Sequence, residues 1–109
     1  MYLSGYRCMW VVAMFDLPVD DKAARKRYAR FRKSLVQDGF RKMQFSVYIR
    51  DCPSRENAEV HAARVERSVP SDGEVRLLMV TDKQFERMRV FWGGMRKQTE
   101  APAPQLSLF

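Results

Sequence analysis

Apolar and polar residues alternate along this chain with a period that changes from segment to segment, and the changes mark the elements. Residues 7–15 (RCMWVVAMF) are almost continuously apolar, the pattern of a strand covered on both faces. The run stops at Asp16, followed by Leu17, Pro18 and two more acids, Asp20 and Asp21. The spacing then predicts a helix over 20–37. Ala24, Tyr28, Phe31 and Leu35 form one stripe, Asp20 or Asp21 caps its start, and Gly39 stands just past its end. Residues 40–50 (FRKMQFSVYIR) alternate, with Met43, Phe45, Val47 and Ile49 on one side and Gln44, Ser46, Tyr48 and Arg50 on the other. One long strand, or two short ones broken near residues 44–46, satisfies this pattern equally. Pro53 and Ser54 open a second helix to about Val69, with Ala58, Ala62, Val65 and Val69 facing inward. A turn at 70–73 leads to a third apolar strand, 75–80 (VRLLMV), and Thr81 caps a last helix, TDKQFERMRVFW, that stops at Gly93–Gly94.

Strand, helix, strand or strands, helix, strand implies an open sheet with both helices on one face. If the middle region divides, the fold is α+β, a ferredoxin-like βαββαβ sandwich with an antiparallel sheet. At 109 residues the chain has room for one modest core, which dimerisation would reinforce. We divide it into a domain at 1–96 and a tail at 97–109, whose KQTEAPAP stretch is extended and whose end is QLSLF. There is no internal repeat.

Charge changes the picture. Twenty Lys and Arg against thirteen acids give a net +7, which points first to nucleic acid. The excess concentrates in the first helix: Lys22, Arg25, Lys26, Arg27, Arg30, Arg32 and Lys33, with Arg41 and Lys42 just beyond, and no acid after Asp21. An ordinary solvated helix face mixes Glu with Lys at i, i+4. Unrelieved like charge calls for an anionic partner, and a phosphate backbone is the commonest. Arginine suits bidentate phosphate contacts, and nothing marks base readout, so weak sequence preference is expected.

The remaining chemistry is sparse. Cys8 and Cys52 lack metal-ligand spacing, a lone His61 completes no zinc site, and the cysteines fit free thiols in a reducing cytoplasm. His61 is expected on the outer side of the second helix, exposed and inert. No segment approaches a transmembrane span, and the N-terminus does not have the pattern of a signal peptide. Asp16 has two readings: an Asx-turn closing the loop, or a carboxylate ligand. Mg²⁺ needs one or two carboxylates besides water and phosphate oxygens, so a two-fold axis bringing two copies of Asp16 together would favour the second.

The apolar strand ending in FDLP (15–18), the basic helix with YARFRKSLVQDGF (28–40), then MQFSVYIR (43–50) and VRLLMVTDKQFERM (75–88) together resemble CRISPR-associated protein 2, most closely the variants that accompany type II CRISPR systems. The resemblance spans roughly residues 7 to 92. It implies a ferredoxin-like homodimer, a division of MQFSVY into two strands around residues 44–46, and a metal-binding role for Asp16. As a nuclease, Asp16 and its mate would hold Mg²⁺ at the dimer axis, although no general base accompanies them. Asp20, Asp21 and Ser46 are candidates only for hydrogen bonding nearby. The resemblance also implies an architectural role in spacer acquisition, in antiviral defence: a DNA-binding dimer bridging two dimers of the integrase, CRISPR-associated protein 1. There Lys22, Arg25, Lys26, Arg27, Arg30, Lys33, Arg41 and Lys42 would track duplex DNA.

Two further readings belong to other classes. One is a small dimeric ribonuclease toxin of the virulence-associated D type. The other is a non-catalytic RNA-binding module stacking bases on Tyr48 and Phe45. The tail carries Gln105, Leu106, Leu108 and Phe109, which either add a strand to a sheet edge or, behind the flexible spacer, bind the bacterial sliding clamp. Trp10 and Trp92 are expected in the core or at a dimer contact.

Overall fold

The apolar run near the N-terminus becomes the inside strand of the sheet. In the computed structural model, which describes residues 8–93, β1 (Met9–Asp16) pairs antiparallel with β3 (Val47–Cys52) on one side and β4 (Glu74–Thr81) on the other. β2 (Arg41–Gln44) pairs with β3, giving the antiparallel order β2-β3-β1-β4. With helices α1 (Lys22–Gln37) and α2 (Arg55–Arg67) between strands, this is the α+β, ferredoxin-like βαββαβ arrangement expected. Alternate β1 residues feed two cores. Met9, Val11, Ala13 and Phe15 pack under α1 and α2 with Phe31, Leu35, Tyr48 and Val65. Trp10 and Val12 pack on the other face with Ile49 and Phe85.

Helix α1 is built by local chemistry. Asp21 is its N-cap, accepting the Ala24 N–H at 2.8 Å. Its end is closed by Gly39 at φ 91°, a left-handed position suited to glycine, while the Phe40 N–H returns to the Leu35 carbonyl at 2.9 Å. Ala24, Phe31 and Leu35 are buried and Tyr28 packs beside them. Emptying the Phe31 site with alanine costs about 3–5 kcal/mol. In α2, the Ser54 hydroxyl caps Asn57 at 3.0 Å, and Ala58 and Val65 are buried; Ala62 is half-buried, and Val69 lies past the helix and exposed.

The middle region does divide. Phe45 and Ser46 form a tight turn, with Ser46 at φ 62°, and the Ser46 carbonyl accepts the Phe15 N–H at 3.0 Å. Met43, Val47 and Ile49 share a face as the alternation says, but Phe45 leaves it and lies against Tyr28 of α1, ring centroids 6.4 Å apart.

The last helix is shorter than expected. α3 (Asp82–Glu86) starts on a Thr81–Gln84 capping box, and the chain leaves the helix at Arg87. The reason is packing. Phe85 is buried, stacked on Trp10 at 4.1 Å, but the next residues at helical spacing find no core: Met88 is exposed. α3 also covers the sheet face opposite α1 and α2, through Phe85. β4 is an edge strand, and Leu77 and Leu78 are both exposed in spite of its apolar composition. Cys52 is buried, Cys8 half-buried, and both are free thiols. Among the described residues, no helix is long and apolar enough to cross a membrane.

Candidate functional site

Asp16 is the last residue of β1 and is exposed, although Phe15 before it and Leu17 after it are buried. Alternation puts its side chain on the sheet face opposite α1 and α2. Its backbone is pinned from two sides. The neighbouring Phe15 N–H is held by Ser46, and Gly73 of the 70–73 turn lies directly against it. A Cβ on Gly73 would meet Leu17 Cδ2 at 2.6 Å and the Asp16 carbonyl oxygen at 2.9 Å, and Gly73 sits at φ 89°, so only glycine fits. The strand end is thus rigid while the carboxylate it carries is free: among the described residues nothing hydrogen-bonds or ion-pairs with it.

In register, Asp16 stands opposite Glu74 of β4, so both carboxylates share a face. Glu74 is paired with Arg76 at 3.0 Å. Neither Glu74 nor Arg76 was singled out from the sequence, because only the β1–β4 register brings them beside Asp16. No cluster of three or more His, Cys, Asp or Glu forms among the described residues. One uncommitted carboxylate with solvent around it fits a hard cation that keeps most of its water and takes further oxygens from a phosphate substrate. It does not fit a closed metal cage. Asp21 is committed to capping α1, Asp20 is exposed, and the Ser46 hydroxyl meets the Tyr28 hydroxyl at 3.3 Å.

The basic helix separates into committed and free cations. Arg27 grips Asp72 through two bonds, Nε at 3.0 Å and Nη2 at 2.9 Å, which holds its guanidinium above its ordinary pKa and the Asp72 carboxyl below its own. Arg25 makes one bond, to the Val19 carbonyl at 3.2 Å, and Arg41 reaches Asp51 at 3.6 Å. Lys22, Lys26, Arg30, Arg32, Lys33 and Lys42 are exposed and pair with nothing among the described residues.

At the far end of α1 the charges are compensated. His61 is not exposed, as expected from the sequence, but buried, its Nδ1 2.8 Å from Asp38 Oδ2, while Arg64 donates to Asp38 Oδ1 at 2.7 Å. Burial pushes the Asp38 carboxyl up, but the His61 and Arg64 bonds outweigh it and hold it below the usual carboxylate range. A cavity of about 250 Å³ opens here between α1 and α2, lined by Ser34, Gln37, Asp38, Arg64 and Ser68. With its carboxylate already doubly held and Asp16 at the other end of the helix, this cavity belongs to helix packing. Tyr48 is buried in the core, so it offers no surface for stacking bases; Phe45 is 75% exposed. Trp10 is buried and donates to Asp82 Oδ1 at 2.8 Å, while Trp92 is 44% exposed. Gln105, Leu106, Leu108 and Phe109 lie outside the described residues.

The family model described as CRISPR associated protein Cas2 matches residues 9–88. A protein of Parvibaculum lavamentivorans named CRISPR-associated endoribonuclease Cas2 is 57% identical over 101 residues, covering 93% of this chain and all of that one. One of the same name from Flavobacterium psychrophilum is 47% identical, covering 98% of this chain and 93% of that one. A solved structure titled as a crystal structure of cas2 superposes with a TM-score of 0.54 at 22% identity, over 84% of this chain and 95% of that one, which bears on the fold alone.

Proposed function

The chain belongs to the CRISPR associated protein Cas2 family, and on that premise we propose that it is a homodimeric, Mg²⁺-dependent endonuclease of CRISPR adaptation with Asp16 as the metal ligand. The carrying observation is a free carboxylate on a rigid strand end, set in a chain otherwise rich in uncompensated cations. The relatives' name, endoribonuclease, makes RNA the first substrate to try.

A dimer completes the site. The sheet face that carries Asp16 also carries Leu78, 52% exposed, next to the core of Trp10, Val12 and Ile49. Burying that face against a second copy, with a two-fold axis near the strand ends, sets two Asp16 carboxylates together. The two Asp16 carboxylates would hold Mg²⁺ there, and the ion would supply polarisation of the scissile phosphate and a lowered pKa of a bound water. Asp16 would anchor that ion, and Arg76, exposed, paired with Glu74 and diagonal to Asp16 across the β1–β4 ladder, is placed to attract the phosphate. The cations of α1 bind and orient the rest of the strand.

A second reading is favoured by the length of the basic stripe. Lys22 to Lys33 runs about 17 Å along α1, on the layer away from the Asp16 face. That is more than cleavage at one phosphate requires, and it suits a protein that tracks duplex DNA and bridges integrase dimers, with or without cleavage.

The test is cleavage of short single-stranded RNA and duplex DNA by the purified full chain, wild type and Asp16→Asn, in Mg²⁺ and in EDTA, with binding measured in parallel. Cleavage lost with either change supports the nuclease. Binding without cleavage under every condition leaves the bridging role. Cleavage equal in all four conditions sinks the assignment of Asp16.

A further inference from the structure

Phe45 is the most exposed large apolar side chain of the sheet region, 75% accessible at the tip of the β2–β3 turn. It is not loose. Its ring stacks on Tyr28 at 23° between planes, leaving the other side of the ring to solvent. Tyr28 is held in turn by Phe15, 5.9 Å away, and by the Ser46 hydroxyl at 3.3 Å. The turn is fixed as well, since the Ser46 carbonyl holds the Phe15 N–H at 3.0 Å.

The surroundings are cationic. At 100° per residue, Arg25 and Arg32 lie on the same side of α1 as Tyr28, while Arg27, on the opposite flank, turns away to Asp72. Edge strand β2, which ends at Gln44 just before Phe45, carries exposed Arg41 and Lys42. An open aromatic face backed by a second ring and flanked by guanidinium groups matches the chemistry of a nucleobase with its phosphates: every base has a face to stack, and the cations take the backbone.

From this geometry we infer that Phe45, backed by Tyr28, is a stacking platform for one unpaired nucleobase of a bound single strand, with Arg25 and Arg32 holding its flanking phosphates. This deepens the nucleic-acid reading above and rests on it. It also gives the protein a means of distinguishing single strands from duplex, whose bases are already stacked on one another.

The experiment uses the full-length protein and a short single-stranded RNA carrying 2-aminopurine, the same strand with an abasic site there, and its duplex. Wild type, Phe45→Ala and Phe45→Trp are titrated against each, and sedimentation gives each variant's oligomeric state. The expected results are 2-aminopurine quenching on binding to wild type and a loss of single-strand affinity of about ten- to a hundred-fold in Phe45→Ala. Phe45→Trp retains the affinity, and duplex affinity is unchanged in all three. Single-strand affinity equal in wild type and Phe45→Ala overturns the platform while leaving nucleic-acid binding intact. A shift of Phe45→Ala toward monomer overturns it too, by making Phe45 a contact between copies. Failure of wild type to bind either strand or duplex overturns the underlying reading as well.

Discussion

Two carboxylates stand at opposite ends of helix α1 and are treated in opposite ways. Asp38, which caps its C-terminus, is 17% exposed and takes hydrogen bonds from His61 and Arg64. Asp16, ahead of its N-terminus, is exposed and takes none from the described residues. The cations divide in the same way: Arg27 is locked to Asp72, whereas Lys26, Arg30 and Lys33 pair with nothing among the described residues. Compensated charge holds this fold together. Uncompensated charge, carried on a backbone that the fold has made rigid, is what remains for a ligand.

The sharpest way to break that comparison is to remove each carboxylate. Asp16→Asn should lower cleavage by about a hundredfold or more, while changing stability by no more than about 0.5 kcal/mol. Asp38→Ala should do the reverse. It leaves the buried His61 and the Arg64 guanidinium without their acceptor, costing about 1–3 kcal/mol and several degrees of melting temperature, with cleavage per folded molecule unchanged. Melting curves and initial rates on the same preparations decide it; an Asp16→Asn protein that melts several degrees lower would make Asp16 a structural residue.

Gly73→Ala tests whether the fold pays for the rigidity at Asp16. The added Cβ has no room beside Leu17 and the Asp16 carbonyl, and the backbone at φ 89° disfavours it. The expected cost is about 1–3 kcal/mol, read by urea unfolding, with reduced cleavage even in the folded fraction because the strand end must shift. A stability unchanged by Gly73→Ala would show that the turn relaxes freely and that Asp16 is not held by it.

Much of this arrangement is local and therefore legible in the sequence. The unbroken apolar run of β1, the Asp21 cap, the Ala24–Tyr28–Phe31–Leu35 stripe and Gly39 after it each depend on a few neighbouring residues. So does the cation stripe, since no acid interrupts it. What was not legible depends on distant partners. His61 is buried because Asp38, 23 residues away, meets it across two helices. Arg27 is committed because a turn 45 residues on supplies Asp72. Tyr48 offers no surface ring because α1 and α2, distant in sequence, cover its side of the strand. The Phe45–Ser46 turn carries neither Gly nor Asn, so Ser46 at φ 62° left no turn signature to find. The end of α3 is decided by the absence of a core beneath Met88, which no helical period reveals.

The salt dependence of binding separates the two sets of cations. Each free cation that neutralises a phosphate contributes about 0.7–0.9 to the slope of log affinity against log salt. Replacing Lys26, Arg30 and Lys33 by Gln should therefore flatten the slope by about 2–3 in all. Arg27→Gln should leave the slope as it is and weaken the fold only slightly, since solvent and salt screen an exposed pair. Equal flattening by Arg27→Gln alone would mean that the Asp72 pair opens on binding.

The smallest effect is on acid stability, and its sign follows from Asp38. Its carboxyl is held lower in the folded chain than in the unfolded one, because the bonds from His61 and Arg64 outweigh its burial. A carboxylate with a depressed folded pKa stabilises the fold above its unfolded value, about 4, and loses that contribution as pH falls through its lower folded value. Asp72, depressed by Arg27, acts in the same direction but is exposed to solvent and salt. Stability of the wild type should thus fall as pH drops below about 4, and the Asp38→Ala curve, already lower at neutral pH, should fall less steeply there. Urea midpoints across the acid range measure both curves, and an Asp38→Ala curve as steep as the wild type's would show that the bonds from His61 and Arg64 do not set the acid limb.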